Sequence, residues 1–378
     1  MPETSWWRRH GWTIAILLGA FSISFLVRTL YVVPLLQQWG PQYLFAGGSD
    51  SFYHYRAADF ILQNHTNLGR DAMLHYPFGA VNPREPLFDW MNAILGIIFA
   101  GAWGGGLHGA QLGAAFFLDF QAPFWAALGV FPVYLIGKEV SSRRMGLMAA
   151  LLYPIIVASI DSSTFGYANY LSFYTFFILI ALYGYLRTVK AAGSRRWVED
   201  YRQPRQLWPA LKAYYQHERT AVKWAVFTGV AFGTVMLAWQ GYSFLVAAVV
   251  VFLAIQMVIE RIRRVDSFGL YVLTWIVGVI GFPMAVPYYY FQGLGRVWFD
   301  QPALVFFGAL LILLPFFLLR DTPWVVSVPV LAGTAAVAIG ALAILDPSDF
   351  SAIITGQGYF VKTLVYSTVA EAQAPSID

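Results

Sequence analysis

The chain has 378 residues, of which 58% are hydrophobic, 18% aromatic and only 12% charged, with a mean hydropathy of +0.59. Soluble domains carry about a quarter charged residues, so the composition excludes an ordinary soluble enzyme and indicates a polytopic membrane protein. The net charge of +4 is no electrostatic footprint for nucleic acid, and the absence of cysteine excludes disulfides and thiolate chemistry.

In chain order, Trp6-Trp7-Arg8-Arg9-His10 reads as an interfacial anchor with cytoplasmic cations, not as a cleavable signal. The first span is expected at 12–34, close to the ~20 residues a bilayer requires. Arg28, near its outer end, is expected to snorkel to the surface. A long polar section follows, 35–119. Its carboxylates (Asp50, Asp59, Asp71, Glu85, Asp89, Asp119) outnumber Arg56, Arg70 and Arg84, so the positive-inside rule places it outside. Within it, 87–103 is apolar. Reading it as a span would put Lys138, Arg143 and Arg144 outside, so a re-entrant or peripheral helix is preferred.

Later spans are expected at 120–137, 145–160, 171–186, 222–238, 243–259, 268–287, 302–319 and 324–345. The largest basic loop, 187–223, carries Arg187, Lys190, Arg195, Arg196, Arg202, Arg205, Lys212, Arg219 and Lys223 against Glu199, Asp200 and Glu218. It is cytoplasmic and reads as a solvated loop. The tail, 346–378, falls outside, on the side of Asp50. This gives an all-α polytopic protein of about nine transmembrane helices, with one membrane domain over 1–345 and a long first outer loop.

The densest polar stretch is Gly47-Gly48-Ser49-Asp50-Ser51-Phe52-Tyr53-His54-Tyr55-Arg56. Asp50 and His54 are four apart, so a helix starting near Ser49 puts them on one face. Ser49 or Asp50 would cap it, and the glycines allow a tight turn before it. The Asp50 stretch, the loop from Asp161 to Tyr170 and the tail around Glu371 are expected to converge on the outer face. Spacing alone leaves two readings: solvated loop acids, or oxygen ligands for a hard divalent cation. His75 in His75-Tyr76-Pro77-Phe78-Gly79 is either an interfacial anchor or a group that hydrogen-bonds a lipid phosphate. Pro83-Arg84-Glu85-Pro86 reads as a helix entrance, and Asp89 as a complement to that helix's dipole. Asn64-His65-Thr66 is an Asn-x-Thr sequon that could carry a glycan. A transporter would need charged or broken helices at the midplane, and the spans show few such charges.

Together these stretches resemble a family. Gly48-Ser49-Asp50-Ser51-Phe52-Tyr53-His54-Tyr55-Arg56 resembles the first-outer-loop acidic motif of oligosaccharyltransferase catalytic subunits, especially the archaeal single-subunit type. His75-Tyr76-Pro77-Phe78-Gly79 and Pro86-Leu87-Phe88-Asp89-Trp90 resemble the later part of that loop. Ser367-Thr368-Val369-Ala370-Glu371-Ala372-Gln373 resembles the family's fifth-outer-loop glutamate motif, and Trp239-Gln240-Gly241-Tyr242 fits as well. The resemblance covers nearly the whole chain.

It implies a GT-C membrane fold, residence in the plasma membrane with the active face outside and the N-terminus cytoplasmic, and a Mg2+ or Mn2+ ion at the outer face. The implied reaction moves an oligosaccharide from a polyprenyl (dolichyl) phosphate or pyrophosphate carrier to Asn of Asn-x-Ser/Thr in an acceptor polypeptide. On this basis Asp50 and Glu371 are the catalytic candidates, and Asp50 is also a metal ligand. His75 is expected near the lipid phosphate, with His54 and Arg56 as further phosphate candidates and Asn64 as a glycan acceptor.

Two departures stand out. The second acidic motif reads Gly166-Tyr167-Ala168-Asn169-Tyr170-Leu171, with Asn169 and Leu171 where acids are expected; Asn169 and Asp161 remain weaker metal candidates. The soluble C-terminal domain with its sequon-reading WWDYG motif is expected to be missing, which implies a separate domain or subunit as partner. A non-catalytic relative or fragment that binds the lipid carrier or another subunit is the alternative.

Overall fold

The computed structural model describes residues 6–30, 33–34, 45, 48–74, 76–82, 84–193 and 195–355. Two units divide the chain: 1–187 with 237–239, and 188–236 with 240–378.

In the first unit, α1 (Trp6–Thr29) is apolar almost all round, as a helix surrounded by protein and lipid should be. Next comes α2 (Gly48–Asn64). It buries Ser51, His54, Ala57, Ala58, Ile61 and Leu62, an i, i+3, i+4, i+7 stripe that makes it amphipathic. Asp50 lies in its first turn, where the helix dipole favours a negative charge. A two-stranded hairpin follows, β1 (Arg70–Asp71) against β2 (Ala80–Val81), with Asp71 opposite Ala80.

Helix α3 (Pro86–Phe99) starts with proline at its first position, where the missing N–H is no loss. A 3-10 turn, Ala100–Trp103, ends it, and Gly104, Gly105 and Gly106 all take positive φ as the chain turns back into α4 (Gly106–Leu128). Small residues let α3 and α4 touch backbone to backbone. A Cβ on Gly96 would lie 2.4 Å from the Ala110 carbonyl oxygen. Ala58, Ile61 and Leu62 of α2 pack with Ala93, Ala110 and Ala114 in one buried cluster. Helix α5 (Val130–Val140) continues α4 directly. Then come α6 (Arg143–Leu152), a 3-10 turn (Tyr153–Ile155), α7 (Val157–Asp161) and α8 (Leu171–Ala191), the last belonging here as far as Arg187.

The second unit holds α9 (Pro204–His217), α10 (Arg219–Ala238) up to Met236, α11 (Tyr242–Ile262), α12 (Phe268–Phe291), α13 (Asp300–Leu313), α14 (Pro315–Leu318), α15 (Trp324–Leu345) and α16 (Pro347–Thr355). Its buried tyrosines give their hydroxyl protons to carbonyls: Tyr271 to Leu310 at 2.8 Å, Tyr289 to Met236 at 3.0 Å and Tyr242 to Trp298 at 2.6 Å. At the loop end of the unit, Arg320 pairs with buried Asp266 at 3.0 Å and donates to the Val198 carbonyl at 2.9 Å.

Among the described residues, 9 helical segments are long and apolar enough to cross a membrane. They are not quite the expected set. Pro86–Trp103 is among them, whereas 145–160 is not. That stretch is broken at Pro154, which has no N–H to continue a helix, and Ile156 is extended (φ −68, ψ 110). The expected span 120–137 is the second half of a 35-residue helical run, Gly106–Val140. At 1.5 Å per residue that run is about 52 Å long, well beyond a ~30 Å hydrocarbon core. Its first turns therefore serve protein contacts: Gln111 donates to Asp59 of α2 at 2.6 Å.

Arg28 does not snorkel. It is fully buried and donates to the Ser163 and Ser24 hydroxyls, to Ser159, and to the Ser24 and Pro154 carbonyls. A guanidinium with this many acceptors has no need of the surface. The basic loop is likewise more than solvated chain. It contains α9, whose Tyr214 is fully buried and donates to the Ala192 carbonyl at 3.1 Å.

Candidate functional site

Four segments of the first unit meet at the start of α2. Asp50 comes from its first turn and His54 from one turn later. Arg84 comes from the segment leading into α3, Asp89 from the first turn of α3, and Asn169 from the turn before α8. The expected one-face placement of Asp50 and His54 is found, because both contact Arg84.

Arg84 is the hub. Its Nη2 donates to Asp50 Oδ1 and its Nη1 lies 3.3 Å from His54 Nε2. Its guanidinium carbon sits 5.0 Å from the centre of the Tyr53 ring, a cation–π distance. Asn82 places its backbone: Asn82 Oδ1 accepts from the Arg84 N–H at 3.1 Å, while Asn82 Nδ2 donates to the Leu68 carbonyl at 3.0 Å. Burial works against the Arg84 charge, but the hydrogen bond and charge of Asp50 outweigh it and hold the guanidinium above its ordinary pKa.

His54 is buried, as is Asp89. Its Nδ1 is 2.7 Å from Asp89 Oδ1, and its ring is wedged edge-on between Phe88 (4.6 Å) and Tyr170 (5.3 Å). Arginine can only donate, so Nε2 must accept, which puts the ring hydrogen on Nδ1 facing Asp89. His54 was expected to reach a lipid phosphate. With both nitrogens engaged inside the protein, it orients Arg84 instead. Asp89, read from sequence as a dipole complement, is its partner.

Asn169 donates Nδ2 to Asp50 Oδ2 at 3.2 Å, so both Asp50 oxygens are bonded. Its own Oδ1 is buried and has no hydrogen-bond donor among the described residues. The turn that carries it is tied down from behind: Phe165 N donates to the Arg28 carbonyl at 2.9 Å and Gly166 N to the Asp119 carbonyl at 3.0 Å. Leu171, the other altered motif position, starts α8 and supplies no polar group.

Other expected residues lie apart. Asp161 is exposed at the end of α7 and bonds neither Asp50 nor Asn169. Arg56 is taken by Asp71, with Nε to Oδ2 at 3.0 Å and Nη2 to Oδ1 at 2.8 Å. That fork docks α2 on the hairpin. Its hydrogen bond also holds the Asp71 carboxyl below the ordinary aspartate pKa. Asn64 ends α2 and donates Nδ2 to the Phe60 carbonyl at 3.0 Å. His75, Glu371 and the motif around Glu371 lie outside the described residues.

Of the acidic residues that the resemblance brings to a divalent cation, Asp50 is described and Glu371 is not. Among the described residues, no three metal-binding side chains converge. One carboxylate, Asp50, and one amide, Asn169, come together. The carboxylate already carries a guanidinium. Hard cations also need more oxygens than Asp50 and Asn169 offer.

Residues 41–322 match the family model described as oligosaccharyl transferase STT3, N-terminal. Dolichyl-phosphooligosaccharide-protein glycotransferase 3 of Archaeoglobus fulgidus is 25% identical over 254 residues, which is 65% of this chain and 25% of that relative. Among solved structures, the archaeal oligosaccharyltransferase AglB of A. fulgidus, in complex with an inhibitory peptide and a dolichol-phosphate, superposes with TM-score 0.73 at 19% identity. That match covers 93% of this chain and 39% of that one. An A. fulgidus oligosaccharyltransferase in complex with Zn and sulfate superposes with TM-score 0.61 at 19% identity, over 91% of this chain and 41% of that one. The chain thus spans about a quarter of the curated relative and about two fifths of the solved structures. The shared architecture is the all-helical GT-C membrane fold.

Proposed function

This chain belongs to the STT3 oligosaccharyl transferase family, and from that premise we propose that it forms the membrane half of an oligosaccharyltransferase. The reaction proposed is transfer of an oligosaccharide from a polyprenyl phosphate or pyrophosphate to the amide nitrogen of Asn in Asn-x-Ser/Thr. The protein is multi-pass, placed in the plasma membrane with its N-terminus cytoplasmic and the Asp50 face outside.

The observation that carries this reading is the fixed Asp50 carboxylate, held on one side by Arg84 and on the other by Asn169. An amide nitrogen is a poor nucleophile, because its lone pair is delocalised into the carbonyl. A carboxylate that accepts its N–H draws that lone pair out, and the amide proton passes to Asp50 as nitrogen bonds the sugar's C1. The C1–O bond breaks with its electron pair going to the phosphate. Arg84 is the cation placed to stabilise that oxyanion. Among the described residues, no three metal-binding side chains converge.

A second reading, carrier binding without transfer, is favoured by Asn169 and Leu171 standing in the acidic motif. The deciding experiment follows glycan transfer from a polyprenyl-linked donor to a short Asn-x-Thr peptide in membranes containing this chain, with and without an added C-terminal domain. Transfer lost in Asp50→Ala supports the enzyme. No transfer in either arrangement, with donor still bound, selects the second reading.

A further inference from the structure

We propose that a groove between α9 and α12 of the second unit binds an anionic phospholipid from the leaflet on the side of the basic loop. One acyl chain fills the groove, and the phosphate rests on Arg205 and Lys212. Neither the groove nor these cations have a part in the transfer chemistry above.

The groove has a volume of about 640 Å3 and almost wholly apolar walls, within the roughly 300–1,000 Å3 of small-molecule sites. Leu207, Leu211 and Tyr215 form its wall on α9, and Val272, Trp275 and Val279 its wall on α12. Each set recurs at three- or four-residue steps, so each is one stripe of its helix. Helix α9 is seated on the first turn of α12, with the Tyr214 ring centre 6.1 Å from that of Phe268. From Phe268 to Val272 is about 6 Å along α12, and to Val279 about 17 Å, at 1.5 Å per residue. Half of a ~30 Å hydrocarbon core is ~15 Å, so the groove has the depth of one leaflet. Tyr215 is 49% and Val279 56% exposed, so the groove opens outward, where α12 as a membrane span meets lipid.

The charge of α9 selects the headgroup. This helix carries Arg205 and Lys212 and no acidic side chain. Both cations are exposed, and neither has a hydrogen bond or ion pair among the described residues. Going round α9 from Leu207, the groove stripe spans about 80°, exposed Trp208 follows at about 100°, and Lys212 and Arg205 at about 140° and 160°. Apolar, aromatic and cationic positions thus succeed one another in the order of hydrocarbon, interface and headgroup. Arginine and lysine stems can lie along apolar surface while their charges reach the phosphate level. A water-borne protein could cover α9 but not the α12 wall, which lies at hydrocarbon depth.

The test uses the full chain in phosphatidylcholine nanodiscs doped with phosphatidylglycerol that carries a diazirine in one acyl chain. After illumination, mass spectrometry maps the cross-linked peptides. Adducts are expected on the groove residues of α9 and α12, competed by unlabelled phosphatidylglycerol and not by added phosphatidylcholine. In the double variant Arg205→Gln, Lys212→Gln, the concentration of probe needed for half-maximal groove labelling should rise about 30-fold, the worth of two cations at a membrane surface. Both side chains are exposed, so the fold does not depend on them. Unchanged labelling in the double variant, or equal labelling by a phosphatidylcholine probe, overturns the proposal. Adducts that spare the groove overturn it too, whether a second copy of the chain or another protein covers that face. Because the readout is lipid labelling, loss of glycan transfer in any variant leaves it unaffected.

Discussion

His54 Nδ1 lies 2.7 Å from Asp89 Oδ1 across 35 positions of sequence, and both side chains are buried. The pair fixes the tautomer of the imidazole and thereby turns Nε2 towards Arg84. A buried carboxylate bonded in this way depends on its donor. His54→Phe keeps a ring between Phe88 and Tyr170 but strands Asp89. It should destabilise the protein by roughly 2–3 kcal/mol. His54→Phe with Asp89→Leu should recover much of that, because removing both partners leaves no orphan. Thermal unfolding of the two variants in one detergent measures the difference, and an equal loss in both would show that the bond contributes nothing.

The Arg56–Asp71 fork gives the hairpin an acid-sensitive anchor. The folded pKa of Asp71 is held below the ordinary 3.8, first by the Arg56 hydrogen bond and then by the Met73 N–H, against the opposing effect of burial. A lowered carboxylate pKa stabilises the fold fully above the unfolded value and loses that contribution as pH falls through the folded one. Asp71→Asn should therefore destabilise by roughly 1 kcal/mol near neutrality, a modest figure because Arg56 is half-exposed and solvent screens the pair. The gap between variant and wild type should close below about pH 4. A gap that stays constant from pH 7 to pH 3 would contradict the assignment.

Two glycines should respond to alanine with opposite sign. A Cβ at Gly96 meets the Ala110 carbonyl at 2.4 Å and Ala114 N at 3.0 Å, and backbone cannot move aside. Gly96→Ala should push α3 from α4 and cost about 1–3 kcal/mol. A Cβ at Gly308 meets nothing within 4 Å, so Gly308→Ala, inside α13, should stabilise by up to ~1 kcal/mol through helix propensity. Unfolding temperatures of the two variants read the contrast directly.

In the second unit Asp266 has 4% of its side chain exposed and is held by Arg320, the Tyr201 hydroxyl at 3.1 Å and the Phe268 N–H at 2.8 Å. Arg320→Ala removes the charge partner and should cost roughly 2 kcal/mol, less than a fully buried pair because Arg320 is partly exposed. Asp266→Asn in that background should restore part of the loss, since the amide can still accept from Tyr201 and Phe268. Additive losses in the double variant would refute the coupling.

Part of the candidate site was legible in the sequence. The helix starting near Ser49 follows from a glycine pair ahead of Ser-Asp and from the apolar stripe through Ala57, Ala58, Ile61 and Leu62. With 3.6 residues per turn, that helix puts Asp50 and His54 on one face. The meeting of Asp50 with Asn169 was expected from the convergence of outer loops. Arg84 and Asp89 were missed. In sequence Arg84 sits among prolines at a helix entrance, and Asp89 occupies a first turn where an acid needs no further reason. Periodicity within α3 carries no record of what faces it 30 residues away. The lone histidine four residues after an acid was the available clue that a buried partner was needed.

What the sequence by itself determined about this protein is its class: apolar runs of about 20 residues can satisfy their backbone in a bilayer only as helices, and those runs set the number and approximate position of the helices. It also determined which residues stand in the acidic motifs, including the replacement by Asn169 and Leu171. The tertiary structure alone decided where the charges go. Arg28 turned inward because hydroxyls and carbonyls of a distant loop surround it. Arg56 went to Asp71, and Arg84 took Asp50. Hydropathy depends on each residue separately and can be summed along a chain, whereas the partner of a buried charge depends on which distant acceptor the packing brings within 3 Å, and that is settled only when the helices have met.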